Sequence, residues 1–234
     1  MHNEASVGGI FGELFGTLEG SWRDFALYTF VVGGLTAAGV VAGLTETAAG
    51  SVSYGFSVDS TDTPASALFE FVSAVVSLFG TYLLLARLLA ARGRLRATGG
   101  RFWAYVAMSV LSIVAVVIGL LLVIVPGIVL LVRWSAASGY VIGGGETVTG
   151  SLGASWEATN GHGWSIFLAA IVLFLGILLG AGVIGALFGL AGEQAAGVAS
   201  AFVEAASGGI FAAFGLAIYF RVSDDAQEIS EVFA

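Results

Sequence analysis

The stretch IVPGIVLLVRW, Ile124 to Trp134, decides how many times this chain crosses a bilayer. It lies inside an apolar run from Phe102 to Ile142, 41 residues long. As one helix that run would measure about 60 Å, roughly twice the hydrocarbon thickness of a membrane. Pro126 and Gly127 fall near its middle. Proline removes a helical hydrogen bond there, and glycine permits a reversed backbone. A kinked single helix is the ordinary meaning of a proline in lipid, but the excess length favours a tight hairpin with Pro126-Gly127 as its outer turn. The third span is then 102–124 and the fourth 127–143.

Working outward, the segments 25–44, 65–89, 164–190 and 195–219 also approach or exceed the ~20 apolar residues of a spanning helix. Thr63-Pro64 supplies an N-cap and a proline at the first helical position of the second span. Six spans place both termini on one side. Arg23, the cluster Arg92, Arg94, Arg96 and Arg101, and Arg221 all fall on that side, which the positive-inside bias makes cytoplasmic. Five or seven spans would split them. The loop 45–65, with Glu46, Asp59 and Asp62 and no arginine, is then external, and 222–234 is an acidic cytoplasmic tail.

Ahead of the first span, Val7, Ile10, Phe11, Leu14, Phe15 and Leu18 recur at helical spacing, which predicts an amphipathic helix over 5–19. Gly20 is its natural stop, and Ser21 to Asp24 reads as a capping box for the next helix. Its polar face carries Glu13 and Glu19 where membrane-surface helices carry Lys or Arg. Docking on the protein's own bundle is therefore favoured over binding anionic lipid.

Composition agrees with a chain whose solvent is mostly lipid. Of 234 residues 58% are hydrophobic and 10% charged, and the mean hydropathy is +0.98. Soluble domains run near a quarter charged. Cysteine is absent, which excludes disulfides, thiolate metal sites and cysteine nucleophiles. All eight basic residues are arginine against sixteen acids, for a formal charge of −8. That balance argues against nucleic-acid binding. A lysine-free acidic surface suits high salt, or else reflects a GC-rich genome.

Arg133 is the first residue that could carry chemistry. A charge at the bilayer centre costs about 2.5–3.5 kcal/mol, so it ordinarily faces the bundle and a partner. It lies about 10 Å below the outer turn, with Glu204 at about 15 Å and Glu70 at about 8 Å from the same side. Either acid is within reach, which makes Arg133, Glu204 and Glu70 a candidate buried polar cluster. An ion pair or carbonyl-capped arginine that fixes helix packing is the favoured role. A polar site in a translocation path, or snorkelling past Trp134, are the alternatives. Glu204 alone could relay protons, but no chain of acids or histidines leads to it.

Gly176-x-x-x-Gly180 and Gly185-x-x-x-Gly189 have the spacing that lets helices approach closely. Packing within the chain is favoured, with a homodimer face as the alternative. His2 and His162 lack the HxxxH or HExxH company of a metal site, and no GxSxG, P-loop or dinucleotide fingerprint occurs. No cofactor, metal or catalytic residue is expected.

The segment ETVTGSLGASWEATNGHGW, 146–164, is less generic. Leu152, Ser155, Trp156 and Thr159 fall at helical spacings and Asn160-Gly161 is a plausible stop, so a short interfacial helix over 147–159 is predicted, with Trp156 and Trp164 as anchors. Together with the hairpin it resembles the membrane domain found beside the catalytic domain of some bacterial glycerophosphoryl diester phosphodiesterases, and found alone in other membrane proteins. The matching positions are Pro126-Gly127, Arg133, Glu146, Leu152, Ser155-Trp156, Thr159, Gly161 and Trp164. Ser151 stands where that family usually has alanine, and Gly153-Ala154 where it often has basic residues. The resemblance implies an all-α membrane fold and no activity that carries over. The phosphodiesterase domain's metal-binding histidine and acidic residues have no counterparts here.

The resulting expectation is an all-α integral membrane protein of the cell membrane, with six transmembrane helices, an amphipathic N-terminal helix and an interfacial helix between spans four and five. A non-enzymatic scaffold or accessory subunit is the favoured role, with a homo-oligomer or another membrane protein as partner and 147–159 as the cytoplasmic contact surface. A small transporter or channel lined by Arg133 and Glu204 is the alternative. A lipid-modifying enzyme built from Glu146, Ser155, Glu157 and His162 ranks last.

Overall fold

The computed structural model describes residues 6–45, 63–96 and 100–232, with side chains described as far as Ser223. His2, the loop acids Glu46, Asp59 and Asp62, and the acidic side chains of the tail lie outside that description. Among the described residues every regular element is helical. Six helical segments among the described residues, the fourth of them interrupted, are long and apolar enough to cross a membrane: Trp22–Val41, Pro64–Ala91, Phe102–Leu122, Ile124–Gly144, Gly163–Gly189 and Glu193–Ser223. The third and fifth reach mean hydropathies of 2.6 and 2.8, yet only 11% and 22% of their most apolar windows is buried. Helices that are apolar on the outside are stable in lipid and not in water. The chain is a multi-pass, all-α membrane protein.

Two compact units divide it, one of Met1–Ser21, Leu85–Ile171 and Ala212–Ala234, the other of Trp22–Leu84 and Val172–Phe211. In the second unit α2 (Trp22–Val41) meets the first part of α9 (Glu193–Val232). A Cβ at Gly33 would stand 2.7 Å from the Phe202 ring, so only glycine allows that approach. Tyr28 of α2 shares a hydrogen bond of 3.2 Å with Thr81 of α3 (Pro64–Ala91). Thr63 caps α3, its hydroxyl accepting from Ser66 N at 3.2 Å.

The first unit begins with α1 (Val7–Gly20), capped by Ser6, whose hydroxyl accepts from Gly9 N at 3.2 Å. Its buried face is Ile10, Leu14 and Thr17. Phe11 stacks obliquely on Phe214 with ring centres 6.5 Å apart, whereas Phe15 stays exposed. Glu13 pairs with Arg92 at 2.7 Å, and the same guanidinium donates to Thr17 at 3.1 Å and lies over the Phe220 ring. The acid on the polar face of α1 is thus matched by an arginine of the chain itself.

The hairpin is present, but its corner is not Pro126-Gly127. α4 (Phe102–Leu122) ends at Val123, an extended residue with φ −156° and ψ 130°, and α5 (Ile124–Arg133) starts at once. Pro126 therefore occupies the first turn of α5, where the backbone N–H has no helical acceptor and proline costs nothing. Gly127 is helical, and its role is proximity. A Cβ there would stand 2.7 Å from Leu120 N, while one at Gly119 would stand 3.1 Å from Gly127 Cα. The two glycines let α4 and α5 run backbone against backbone.

Nor is the fourth span one continuous helix, as 127–143 anticipated. After Arg133 the chain turns through 134–136, resumes as α6 (Ala137–Gly139), and widens into a π-helical turn, Tyr140–Gly144. Gly145, at φ 76°, ends it in the left-handed region that glycine tolerates. α7 (Val148–Ala158) and α8 (Gly163–Gly189) follow. One further expectation changes in part. Nothing in the described chain lies within 4 Å of a Cβ built at Gly176, Gly180 or Gly189, so these three face outward, whereas Gly185 is buried and packs within the chain as expected. α9 continues into the acidic tail as far as Val232.

Candidate functional site

α5 stops at Arg133, and a stopped helix leaves its last carbonyls without intrahelical donors. In apolar surroundings each must find one elsewhere. Trp134 N donates to Leu130 O at 2.9 Å, and the Ser135 hydroxyl to Val132 O at 2.8 Å. The Arg133 carbonyl is served from α7. Ser155 Oγ donates to it at 2.7 Å, and Thr159 Oγ1 approaches at 3.4 Å while making a shorter bond of 2.8 Å to Ser155 O.

The arginine side chain returns to the same helix. Its Nη1 donates to Trp156 O at 3.4 Å and its Nη2 to Asn160 Oδ1 at 3.3 Å. The guanidinium carbon lies 5.3 Å from the centre of the Trp156 ring, a cation–π distance. A cation at the C-terminal end of α7 also meets the negative end of the helix dipole. Both guanidinium hydrogen bonds thus go to neutral oxygens, which is the carbonyl-capped form of the packing role favoured for Arg133.

α7 is made to fit this position. Thr147 caps it, accepting from Gly150 N at 3.1 Å, and Gly161 ends it at φ 82°. Its inward face is Ser151, Leu152, Ser155 and Thr159, all buried, and the three small hydroxyl side chains let the helix lie close to the break in span four. Trp156 and Glu157 face outward. Glu146, ahead of the cap, works through its backbone: its carbonyl accepts from Arg101 Nη2 and its amide donates to Tyr140 O. Arg96 N donates to Gly143 O at 3.1 Å, which fastens the arginine-rich loop to the π turn. His162 lies in the turn before α8, its carbonyl accepting from Ile166 N at 3.1 Å.

Glu70 and Glu204 belong to the second unit, where both are half-buried and both have interactions of their own. Glu204 lies in the electrostatic neighbourhood of Tyr28. Among the described residues no group of three His, Asp or Glu side chains could hold a metal ion.

The residues brought together are therefore Arg133, Ser155, Trp156 and Thr159, with Asn160 as a partner that the sequence marked only as a helix stop. Beside them runs a groove of about 430 Å³. Val125, Ile128, Val129 and Val132 of α5 form one wall, Gly163, Trp164 and Phe167 of α8 the other, and Arg133 is its charged group. No family model matches the chain, and neither a curated protein nor a solved structure matches it.

Proposed function

We propose that this multi-pass membrane protein is a non-enzymatic scaffold or accessory subunit, presenting α7 to a membrane-protein partner or to a second copy of itself. One observation carries the proposal. The most distinctive side chains of the sequence are spent on one another, clamping α7 to the break in span four, and the groove beside them is apolar except for Arg133. Such an arrangement holds a surface in place, with Arg133 as the one charged side chain among the described residues that line the groove. The outward face of α7, with Trp156 and Glu157, is the contact surface, and both termini share its cytoplasmic side. The outward glycines of α8 favour self-association as one form of the contact. The clamp residues are also those that carry the resemblance to the phosphodiesterase membrane domain, and kinship with that family is part of the proposal.

Cross-linking in native membranes, followed by purification and mass spectrometry, tests it. The expected result is a reproducible partner or a dimer of this chain, lost in a Glu157→Arg variant that keeps its helicity. A chain that is monomeric and alone in native membranes would overturn the reading. So would a solute flux in proteoliposomes that Arg133→Ala abolishes, which would favour the transporter alternative.

A further inference from the structure

The groove along α5 has a charge at one end and hydrocarbon along the rest. Val125, Val129 and Val132 of α5 and Phe167 of α8 are its walls, while Arg133 and Trp164 stand at the same end, since Gly163 lies beside Val132. From Val125 to Arg133 the helix climbs about 12 Å, close to the ~15 Å that one leaflet's hydrocarbon occupies. Trp164 is 71% exposed, the placement of a tryptophan at the level of lipid headgroups. The volume of about 430 Å³ falls within the ~300–1,000 Å³ range of ligand sites.

The charge decides what fits. Among the described residues the hydrogen-bond acceptors of the Arg133 guanidinium are neutral, a carbonyl and an amide oxygen, both at more than 3.2 Å. Its positive charge is oriented by α7 but not neutralised by it. Two of five N–H donors are engaged, and the planar fork suits a phosphate. We propose that this groove is a selective site for an anionic phospholipid of the surrounding bilayer. The phosphodiester bonds Arg133, and one hydrocarbon chain lies between α5 and α8. Any lipid covers an apolar flank; Arg133 makes this one choose by headgroup charge. The inference depends on the chain lying in a bilayer and is independent of the scaffold reading.

Native mass spectrometry of the full chain, purified in a non-ionic detergent and delipidated, tests it with phosphatidylglycerol and phosphatidylcholine of identical hydrocarbon chains. Both lipids offer Arg133 the same phosphodiester, but the quaternary ammonium of phosphatidylcholine offsets that charge beside the guanidinium, so the wild type is expected to retain phosphatidylglycerol about tenfold more tightly. Arg133→Gln should bring the two lipids to parity. Val129→Trp, which fills the groove and leaves Arg133 in place, should reduce retention of both. Equal retention by the wild type means annular contact only and overturns the proposal, as does selectivity that persists in Arg133→Gln. If Arg133→Gln fails to fold, Val129→Trp decides alone, and undiminished selective retention by it sinks the idea.

Discussion

Replacing Ser155 by alanine removes one oxygen and tests the whole reading of the clamp. Its hydroxyl donates at 2.7 Å to the Arg133 carbonyl, and the residue is fully buried. Without it the nearest donor is Thr159 Oγ1 at 3.4 Å, a group with a shorter bond elsewhere. Leaving a buried acceptor unsatisfied costs about 1–3 kcal/mol. Hydrogen bonds between membrane helices average only about 0.6 kcal/mol, because the separated helices find other partners. The Arg133 carbonyl is backbone freed at a helix break, so its loss lies above that average, and partial relief by Thr159 keeps it below the upper limit. The expected cost is about 1–2 kcal/mol for Ser155→Ala, rising to about 2–4 kcal/mol when Thr159→Val is added, with clear coupling between the two. Ser151→Ala is the control, since Ser151 is equally buried but bonds Val148 O within its own helix. Reversible unfolding in mixed micelles titrated with dodecyl sulfate, followed by helicity and tryptophan emission, measures all five proteins: wild type, the two single variants, the double and the control. If Ser155→Ala costs no more than Ser151→Ala, the hydroxyl is not what secures the break, and the clamp is wrong.

The remaining predictions use the same assay unless stated. Pro126→Ala should change stability by less than about 0.5 kcal/mol, because the first turn of α5 has no hydrogen bond for it to restore, whereas Gly127→Val, forced against Leu120, should cost about 1–3 kcal/mol. A large effect at Pro126 and none at Gly127 would return the corner of the hairpin to the Pro-Gly pair. Arg133→Lys keeps the charge but loses the fork and the stack on Trp156, and should cost about 1 kcal/mol. Glu13→Gln should speed amide exchange across α1, by an amount worth at most about 1 kcal/mol since the pair with Arg92 is partly exposed, and salt should shrink the difference. The chain has no native cysteine, so Val123→Cys and Thr149→Cys report sidedness cleanly. An impermeant maleimide on intact cells should label the first and spare the second, and the opposite pattern would invert the topology.

The spans were readable because length and hydropathy are additive along a sequence, and 41 apolar residues cannot be one crossing. The corner of the hairpin was not. Proline signals a break only where its missing N–H matters, and three residues into a helix it does not. Arg133 was legible as a charge in need of company. A carbonyl cap was one of its two favoured forms, but the carbonyl itself was not legible, because backbone oxygens and amides leave no mark in a charge pattern. Ser155 and Thr159 stood out as a pattern, but their acceptor was hidden. The break at 134–136 carries neither proline nor glycine, reading WSA, and only tertiary packing makes it tolerable. The glycines of α8 had the right spacing and no indication of which way they point.

Separation along the chain gives the clamp a place in time. The carbonyl and guanidinium of Arg133 are completed by residues 22 to 27 positions later. At about 5–20 residues per second, synthesis takes about 1–5 s to reach them. That is short beside the time a multi-pass chain needs to assemble its helices, so the partners are at hand as the fourth span settles. The clamp is thus a contact between consecutive segments, and a fourth span deprived of α7 would keep an uncapped carbonyl and an unpartnered charge in hydrocarbon, where both are costly.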